Sequence, residues 1–335
     1  MTATITAWAP GRVNLMGDHT DTTGGLVLPM AIDRGTTVTG RRGGDSVELR
    51  SANEDEPARV RLGGADPAKA TPPWARYVAG VVAEIGPAAG FSGTVSTTLP
   101  IGAGLSSSAA LEVALALALG ATDDPVTLAR RCQRAEQRAS GVPCGIMDQL
   151  ASAAGVAGAA LRIDCHLLSV APVPLPEGVD VVVVHSGVAR TLAGSAYAER
   201  RAQCEAAETV IGPLRSARPG SEAALADPVL RRRARHVLTE NARVSAVVTA
   251  LAQGDLAAVG AAMVESHASL RDDFEVSTPT VDALVERLTA TPGVHGARMT
   301  GGGFGGCVVA MTEPGVLAEG LVVRPAGGAR VLSPR

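Results

Sequence analysis

Residues 100–114 read PIGAGLSSSAALEVA, and this stretch predicts a tight glycine turn that leads into a buried helix. Gly102 and Gly104 let the backbone turn sharply and approach a ligand closely. The serines from Ser106 to Ser108 stand where the helix begins, so free backbone N–H groups, the positive end of the helix dipole and several hydroxyls converge. Such a point binds phosphate. A single serine there is a common helix cap, but a run of three exceeds what capping requires.

The glycine turn belongs to neither of the two common nucleotide loops, because GxxxxGK[ST] and GxGxxG are both absent from it. Lys69 is the only lysine of the chain, and it lies in a Gly/Pro/Ala-rich loop where we assign it no phosphate-binding role. A phosphate cradle without a lysine needs another countercharge. The sequence therefore favours Mg²⁺ held by a serine hydroxyl and a carboxylate.

Candidate carboxylates lie in the stretch AEQRASGVPCGIMDQ, residues 135–149. Glu136 falls on a predicted helix, and Asp148 follows Pro and Gly at the start of another helix. Either carboxylate is a candidate metal ligand or general base. The alternative for Asp148 is a plain helix-start carboxylate that the dipole favours.

A second unusual stretch is GRVNLMGDHTD, residues 11–21, which places charged side chains among Val, Leu and Met. Desolvated charge is costly unless it is paired or used. The stretch is therefore either a strand with a solvated turn or part of a binding site. Its polar candidates are Arg12, Asp18, His19 and Asp21.

Composition limits the class of protein. The chain has 335 residues, 46% of them hydrophobic and 19% charged, which is enough for two domains with an aliphatic core. A net charge near −3 gives no basic field, so we expect no nucleic-acid partner.

Five scattered cysteines without CxxC spacing predict reduced thiols. The amino terminus lacks the pattern of a signal peptide and no apolar stretch is long enough for a bilayer, so we expect a cytoplasmic protein without a membrane partner.

The order of predicted elements indicates two halves. The stretch APVPLPEG, 171–178, has linker composition, and it divides the chain into predicted domains 1–172 and 173–335. Residues 40–73, rich in Gly, Pro, Arg and Asp, are predicted as a loop-rich excursion. Apolar periodicity predicts helices at 74–85, up to 119, 125–139, from 146, 195–211, 227–252, 255–269 and 278–290, and strands at 2–8, 26–39, 93–99 and 179–185.

Four blocks resemble the motifs of the GHMP kinases, and within them galactokinase most closely: GRVNLMGDHTD, PIGAGLSSSAAL, PCGIMDQ and MTGGGFGGCVVA. The segments HSGVARTLAGSAYAERRAQCEAA, RARHVLTEN and SHASLRDDFEVSTPTVDALV are similar to its carboxyl-terminal half. The resemblance covers nearly the whole chain. It implies an α+β, two-lobed kinase with a ribosomal-S5-like amino-terminal domain, a ferredoxin-like carboxyl-terminal domain and the active site between them. It also implies ATP-dependent phosphorylation of a free sugar at the anomeric C1 hydroxyl.

The resemblance further implies residue roles. Asp148 matches the aspartate proposed to take the proton of the anomeric hydroxyl. Arg12 matches the arginine beside it, which would keep that aspartate ionised and counter phosphoryl charge. Ser108 and Glu136 match the Mg²⁺ ligands.

The remaining matches concern the two substrates. The matched ATP-binding positions are Gly102, Ala103, Gly104, Leu105, Ser106, Ser107 and Ser108, with Trp74 and Tyr77 near the adenine. The matched sugar-binding positions are Asp18, His19, Asp21, Gly145 and Tyr197. Gly301 to Gly306 match the third motif, which supports the phosphate loop and the cleft. We therefore expect a small-molecule sugar and ATP as partners of a monomer or weak homodimer.

The chain departs from the galactokinase pattern near the sugar. It has Asp18 where the family usually carries Glu, Thr22-Thr23 where the family has Tyr-Asn, and His185-Ser186 where the family has Asn-Ser. In the family, that Glu and the following His face the C6 end of galactose. The shorter Asp18 and the loss of a ring at Thr22 enlarge this corner of the pocket.

Two substrates therefore stay open: galactose, with water filling the gap, or a C6-extended sugar such as a heptose or octose of antibiotic or specialised-metabolite biosynthesis. Two further alternatives are a non-catalytic sugar and ATP sensor of the same family, and another GHMP kinase that acts on a small alcohol. The sensor could dispense with Asp148, Arg12 or the serine run, and all are present. The small alcohol would leave polar groups of the 11–21 stretch unpaired.

Overall fold

Three sheets and a set of helices make up the computed structural model, which describes residues 3–64, 66–100, 102, 104–188 and 193–332, with the backbone alone at 193–195. The strands are β1 (Ile5–Asn14), β2 (Leu26–Val27), β3 (Pro29–Arg42), β4 (Ser46–Ser51), β5 (Ala58–Arg61), β6 (Phe91–Thr97), β7 (Ala159–Asp164), β8 (Ser169–Pro174), β9 (Asp180–His185), β10 (Val294–Thr300), β11 (Cys307–Thr312), β12 (Leu321–Val323) and β13 (Arg330–Leu332). The helices are α1 (Ala75–Ile85), α2 (Ser107–Leu119), α3 (Pro125–Ser140), α4 (Met147–Ala154), α5 (Ala193–Ile211), α6 (Pro228–Gln253), α7 (Leu256–Asp272) and α8 (Pro279–Thr289). This mixture confirms the expected α+β class.

The amino-terminal sheet has the order β13-β1-β3-β6-β4-β5. The antiparallel pair β1–β3 is irregular between Pro10 and Arg12, where the register shifts. The shift lies at Gly11, where an added Cβ would stand 2.5 Å from the carbonyl oxygen of Leu105. A glycine is therefore needed for the glycine turn to rest on β1, and the Arg12 N–H donates to that same carbonyl at 3.2 Å.

Strands β4 and β5 correct the expectation of a loop-rich excursion at 40–73. In β4, buried Val47 and Leu49 alternate with more exposed residues, which is the pattern of a strand with one buried face. The alternation is short and is surrounded by Gly, Asp and Arg, so composition concealed it. Strand β4 pairs in parallel with β6, and β5 pairs with β4 at the edge of the sheet. The two strands complete the sheet on which α1 and α2 lie.

Helix α2 is apolar on all sides, as expected for a helix buried within a core. It packs against β1, β3, α1, α3 and α4. The next helix, α3, begins where the Asp124 carboxylate accepts hydrogen bonds from Val126 and Thr127, with a proline at its first position. This packing places the start of α2, the middle of α3 and the start of α4 side by side.

The carboxyl-terminal half contains a sheet of order β10-β11-β9-β12 covered by helices that include α7 and α8. One core cluster joins both halves, since Val13 and Leu15 pack in it with Val181, Val244 and Met311. No helix in the described part of the chain meets the length and apolarity that a bilayer span requires.

The predicted linker at 171–178 is strand β8 as far as Pro174. This strand is the edge of the sheet β2-β7-β8, and an edge tolerates Pro172 and Pro174 because their missing N–H groups need no partner strand. At the carboxyl terminus, β13 returns to pair with β1 of the amino-terminal sheet. The division at residue 172 itself stays a prediction.

Candidate active site

A cavity of about 340 Å³ lies where the two halves meet. Its walls carry charged groups from the amino-terminal half and glycines from the carboxyl-terminal half. The lining residues are Arg12, Asp18, His19, Asp21, Tyr77, Glu136, Ser140, Val142, Cys144, Gly145, Met147, Asp148, Gln149, Tyr197, Gly301 and Gly302.

Arg12 and Asp148 form a two-pronged ion pair in this cavity although they are 136 residues apart in the chain. Arg12 Nε donates to Asp148 Oδ1 and Arg12 Nη2 to Oδ2, both at 2.7 Å. The remaining Nη1 donates to the carbonyl oxygen of Gly104 at 2.7 Å, so the guanidinium also holds the glycine turn. Arg12 is 4% exposed, and such a fork is the strong and directional form of an ion pair.

Ser106 connects the glycine turn to the same carboxylate. Its hydroxyl donates to Asp148 Oδ2 at 2.6 Å. Ser106 also has a φ of +59°, a left-handed conformation that non-glycine residues rarely adopt. The serine predicted to bind phosphate therefore contacts the predicted base, and the turn touches both Arg12 and Asp148.

Ser108 and Glu136 lie together on the facing sides of α2 and α3. The Ser108 hydroxyl donates to Glu136 Oε1 at 2.9 Å. Burial and, secondarily, the nearby charge of Asp148 raise the pKa of Glu136 to about 7. A cation would relieve both effects, because it stabilises the ionised form.

This donor set fits Mg²⁺. The ion prefers oxygen ligands and is usually held in kinase sites by one or two protein side chains together with substrate phosphates. Ser108 and Glu136 would be those side chains, at the start of α2 where phosphate is expected. When bound, the ion would neutralise phosphate charge.

Asp18 is 1% exposed and its carboxylate lies against the carboxyl-terminal half. Oδ1 accepts a hydrogen bond from the Gly301 N–H at 3.1 Å, and Oδ2 lies 2.6 Å from Arg298 Nη2. Arg298 is on β10 and also lies 3.5 Å from Glu240 on α6. The structure thus gives Asp18 protein partners, which the sequence did not indicate.

His19 and Tyr197 form an aromatic wall of the cavity, with ring centroids 5.5 Å apart. Phe274 supports His19 from the other side, with a centroid distance of 4.7 Å. Burial raises the pKa of the Tyr197 phenol above its ordinary value, and the charge of Asp21 adds to this shift. The phenol is therefore a neutral donor or acceptor in the cavity.

Asp21 and Gly145 fit together so closely that any side chain at position 145 would displace the Asp21 carboxylate. A Cβ there would lie 1.8 Å from Asp21 Oδ2. Burial and the charge of Asp148, opposed by a hydrogen bond from the Met147 N–H, raise the pKa of Asp21 to about 6. An ionised Asp21 is an acceptor that would favour the hydroxyl groups of a ligand.

The two aromatic residues expected near adenine lie in different places. Tyr77 lines the cavity. Trp74 packs in the core, where its indole N–H donates to the Glu56 carbonyl at 3.0 Å, so the structure does not bring Trp74 to the cavity wall. Of the phosphate-loop positions, Leu105 is buried beside β1 and Ser107 begins α2, whereas Ala103 lies outside the described residues.

Sequence reasoning missed a set of buried polar residues on or behind the cavity wall: Glu112, Gln149, Arg298 and Glu240. Glu112 gave a signal, since it is the one charged residue in the apolar run 109–119. Arg298 stands in β10 between the buried apolar residues Ala297 and Met299. A charged residue in such a setting indicates a buried partner.

Comparisons with known proteins agree with this geometry. Residues 2–42 match the galactokinase galactose-binding signature, residues 75–156 the GHMP kinase N-terminal domain and residues 247–322 the GHMP kinase C-terminal domain. The chain is 46% identical to human galactokinase in an alignment of 324 positions that covers 91% of this chain and 83% of the human protein.

Solved structures extend the comparison. Lactococcus lactis galactokinase, crystallised with galactose, superposes with a TM-score of 0.90 at 30% identity, over 98% of this chain and 95% of that one. Mevalonate kinase from Methanococcus jannaschii, at 17% identity and a TM-score of 0.70 over 98% of this chain and 99% of its own, shares the fold. These matches confirm the expected two-lobed GHMP kinase architecture. The chain belongs to the galactokinase family of GHMP kinases and is a sugar kinase that uses ATP.

Proposed function

We propose that the chain transfers the γ-phosphoryl group of ATP to the C1 hydroxyl of galactose and releases galactose 1-phosphate and ADP. The observation that carries the proposal is the Arg12–Asp148 fork, which faces a cavity lined by the 11–21 stretch on one side and approached by the phosphate loop on the other. The similarity to a galactokinase crystallised with galactose supports the choice of sugar.

The residues divide the work of an in-line phosphoryl transfer. Asp148 accepts the proton of the C1 hydroxyl as the sugar oxygen bonds to the γ-phosphorus and the bond to the ADP oxygen breaks. Arg12 holds Asp148 in place and counters the charge that develops on the phosphoryl group. The protein contributes mainly position and charge compensation, as in other phosphoryl transfers.

The other contacts of the proposal concern binding. Asp21, His19, Tyr197 and the backbone at Gly145 would hold the sugar hydroxyls. The loop from Gly102 to Ser108 would hold the triphosphate, and Tyr77 would lie near the adenine. Ser108 and Glu136 would hold Mg²⁺, and the ion would neutralise charge on the phosphates.

A C6-extended sugar is the second candidate, and it rests on the departures at positions 18 and 22. Asp18 has its carboxylate on Gly301 and Arg298, so this side chain is withdrawn from the corner where the family resemblance places C6. Thr22, being small, leaves further space there. A longer sugar would occupy the corner that galactose leaves to water.

A substrate panel tests both candidates. ATP-dependent phosphorylation should be measured with galactose, a seven-carbon galactose homologue extended at C6, mevalonate and homoserine, and ³¹P NMR should identify whether each sugar product is a 1-phosphate. We expect the highest kcat/KM with galactose. A higher kcat/KM with the seven-carbon sugar would show that the extended sugar, and not galactose, is the substrate. If the protein phosphorylates neither sugar, the proposal is wrong.

A further inference from the structure

Gln149, on the wall of the cavity, joins the carboxylates of Glu112 and Glu136. It follows Asp148 directly in α4 and is 1% exposed. Its amide nitrogen donates to Glu112 Oε2 at 3.2 Å and makes a short hydrogen bond to Glu136 Oε2. One side chain thus connects α2, α3 and α4 at the point where the predicted metal site and the base come together.

Glu136 is consequently held on both of its oxygens. Oε1 accepts from the Ser108 hydroxyl and Oε2 from Gln149. The terminal torsion of a glutamate is otherwise broad, so a carboxylate without such partners would sample many orientations. The two hydrogen bonds define its plane before any ligand arrives, and they leave Oε1 beside the Ser108 hydroxyl.

Glu112 accounts for the orientation of the Gln149 amide. It is 0% exposed and lies one helical turn after Ser108 on the same face of α2. Burial raises the pKa of Glu112 well above its ordinary value, and the charge of Glu136 adds to the rise. Its Oε1 has no hydrogen-bond partner among the described residues, and its Oε2 accepts a hydrogen bond from Gln149.

A buried acid with one unpaired oxygen destabilises the fold. Residues that carry such a cost are expected at functional sites. Replacement of Glu112 by an apolar residue would remove one of the two acceptors that hold the Gln149 amide nitrogen. The amide would then be held by Glu136 alone, and its orientation would be less restricted. The acceptor supplied by Glu112 therefore keeps the N–H side of Gln149 on Glu136.

We propose that Gln149, oriented by Glu112, is a positioning residue that holds the Glu136 carboxylate in the orientation required for Mg²⁺ and fixes its distance from Asp148. This inference rests on the proposed function, because the magnesium site of Ser108 and Glu136 is part of that proposal. In this role Gln149 acts through the Glu136 carboxylate.

The test compares nucleotide affinity with and without Mg²⁺, measured by calorimetry in the absence of sugar. In Gln149→Met, which keeps the volume and removes the N–H groups, we expect the enhancement of ATP affinity by Mg²⁺ to fall about 10-fold or more. Galactose affinity should change by about twofold at most, since the sugar contacts are untouched. Gln149→Asn, which shortens the reach of the amide, should reproduce the loss.

Gln133→Met is the matched control. Gln133 is also a glutamine near the cavity, but it donates to the Cys144 carbonyl at 3.1 Å, and Gln137 donates to the same oxygen at 2.9 Å. We expect this variant to keep the full Mg²⁺ enhancement.

Glu136→Gln separates the inference from the proposal beneath it. If Glu136→Gln loses the Mg²⁺ enhancement while both Gln149 variants retain it, the positioning role is wrong and the metal site stands. If Glu136→Gln retains the enhancement, the metal site is wrong and the positioning role falls with it. Gln149→Met could also lower the melting temperature, the ATP affinity and the galactose affinity together while the Mg²⁺ enhancement stays unchanged. That result would show a structural role for Gln149 and would overturn the inference.

Discussion

Replacement of Glu240 by glutamine tests whether the buried charges behind the sugar signature hold the two halves together. The Glu240 carboxylate accepts hydrogen bonds from Ser266 at 2.7 and 2.9 Å, from the Gly17 N–H at 3.0 Å and from Arg243 at 2.8 Å. Arg298 lies 3.5 Å away and carries the connection on to Asp18. Glutamine keeps the shape of this side chain and removes its charge.

The magnitude follows from the pKa of Glu240, which is lowered from 4.5 to about 2 because the attraction of Arg298, His236 and Arg243 and the Ser266 hydrogen bond outweigh burial. A difference of this size is worth about 3 kcal/mol of folding free energy at neutral pH. Since the folded-state pKa is depressed, the contribution is fully present above about pH 4.5 and is lost as the pH falls towards 2. For a chain of 335 residues, the loss corresponds to a decrease of about 4 °C in melting temperature.

Differential scanning fluorimetry at pH 7.5 and at pH 5 measures this effect, and we expect the same decrease at both values. Glu319→Gln is the matched control, because Glu319 is 44% exposed in a surface pair with Arg287 and such pairs contribute about 0–1 kcal/mol. Glu240 also accepts a hydrogen bond from the Gly17 N–H, which lies within the sugar-binding stretch 11–21. Because the substitution weakens this support of the stretch, galactose affinity should decline more than ATP affinity. A Glu240→Gln protein as stable as the parent at pH 7.5 would refute the reasoning.

Further predictions concern the cavity itself. Gly145→Ala should weaken galactose binding about 10- to 100-fold in calorimetry, because the new methyl displaces the Asp21 carboxylate. The control Gly327→Ala, whose methyl meets open space, should bind galactose normally. Equal galactose affinities of the two variants would contradict the close fit of Gly145 and Asp21. Asp21→Asn should stabilise the sugar-free protein by up to about 3 kcal/mol at pH 7.5, and the gain should shrink between pH 6 and pH 4, because an acid with a raised pKa penalises the fold only where it is ionised. An Asp21→Asn protein that melts below the parent at pH 7.5 would count against this cost. Arg12→Lys should lower kcat about 100-fold with little change in the KM for galactose, because a lysine cannot form the two-pronged ion pair with Asp148. A kcat within threefold of the parent would exclude the role proposed for Arg12.

Local signals predicted much of the fold and part of the site. The glycine turn followed by three serines predicted the start of α2, and apolar periodicity predicted a helix from 125, where α3 begins, because turns and helix periodicity depend on neighbouring residues. Strands β4 and β5 escaped prediction, since their short alternation is surrounded by turn-forming residues. Trp74 was expected near adenine, but the composition of its segment could not show that the indole would turn into the core.

The sequence by itself determined the chemistry available: a phosphate-binding turn, an arginine and several carboxylates in stretches typical of a sugar kinase. Only the tertiary structure decided which of these groups meet. It placed Arg298 on Asp18, Ser106 on Asp148 and Gln149 between two glutamates, across separations of up to 280 residues. The physical reason is that hydrogen bonds and ion pairs act over about 3 Å, so a partner distant in sequence is chosen by how strands and helices pack and leaves no local pattern.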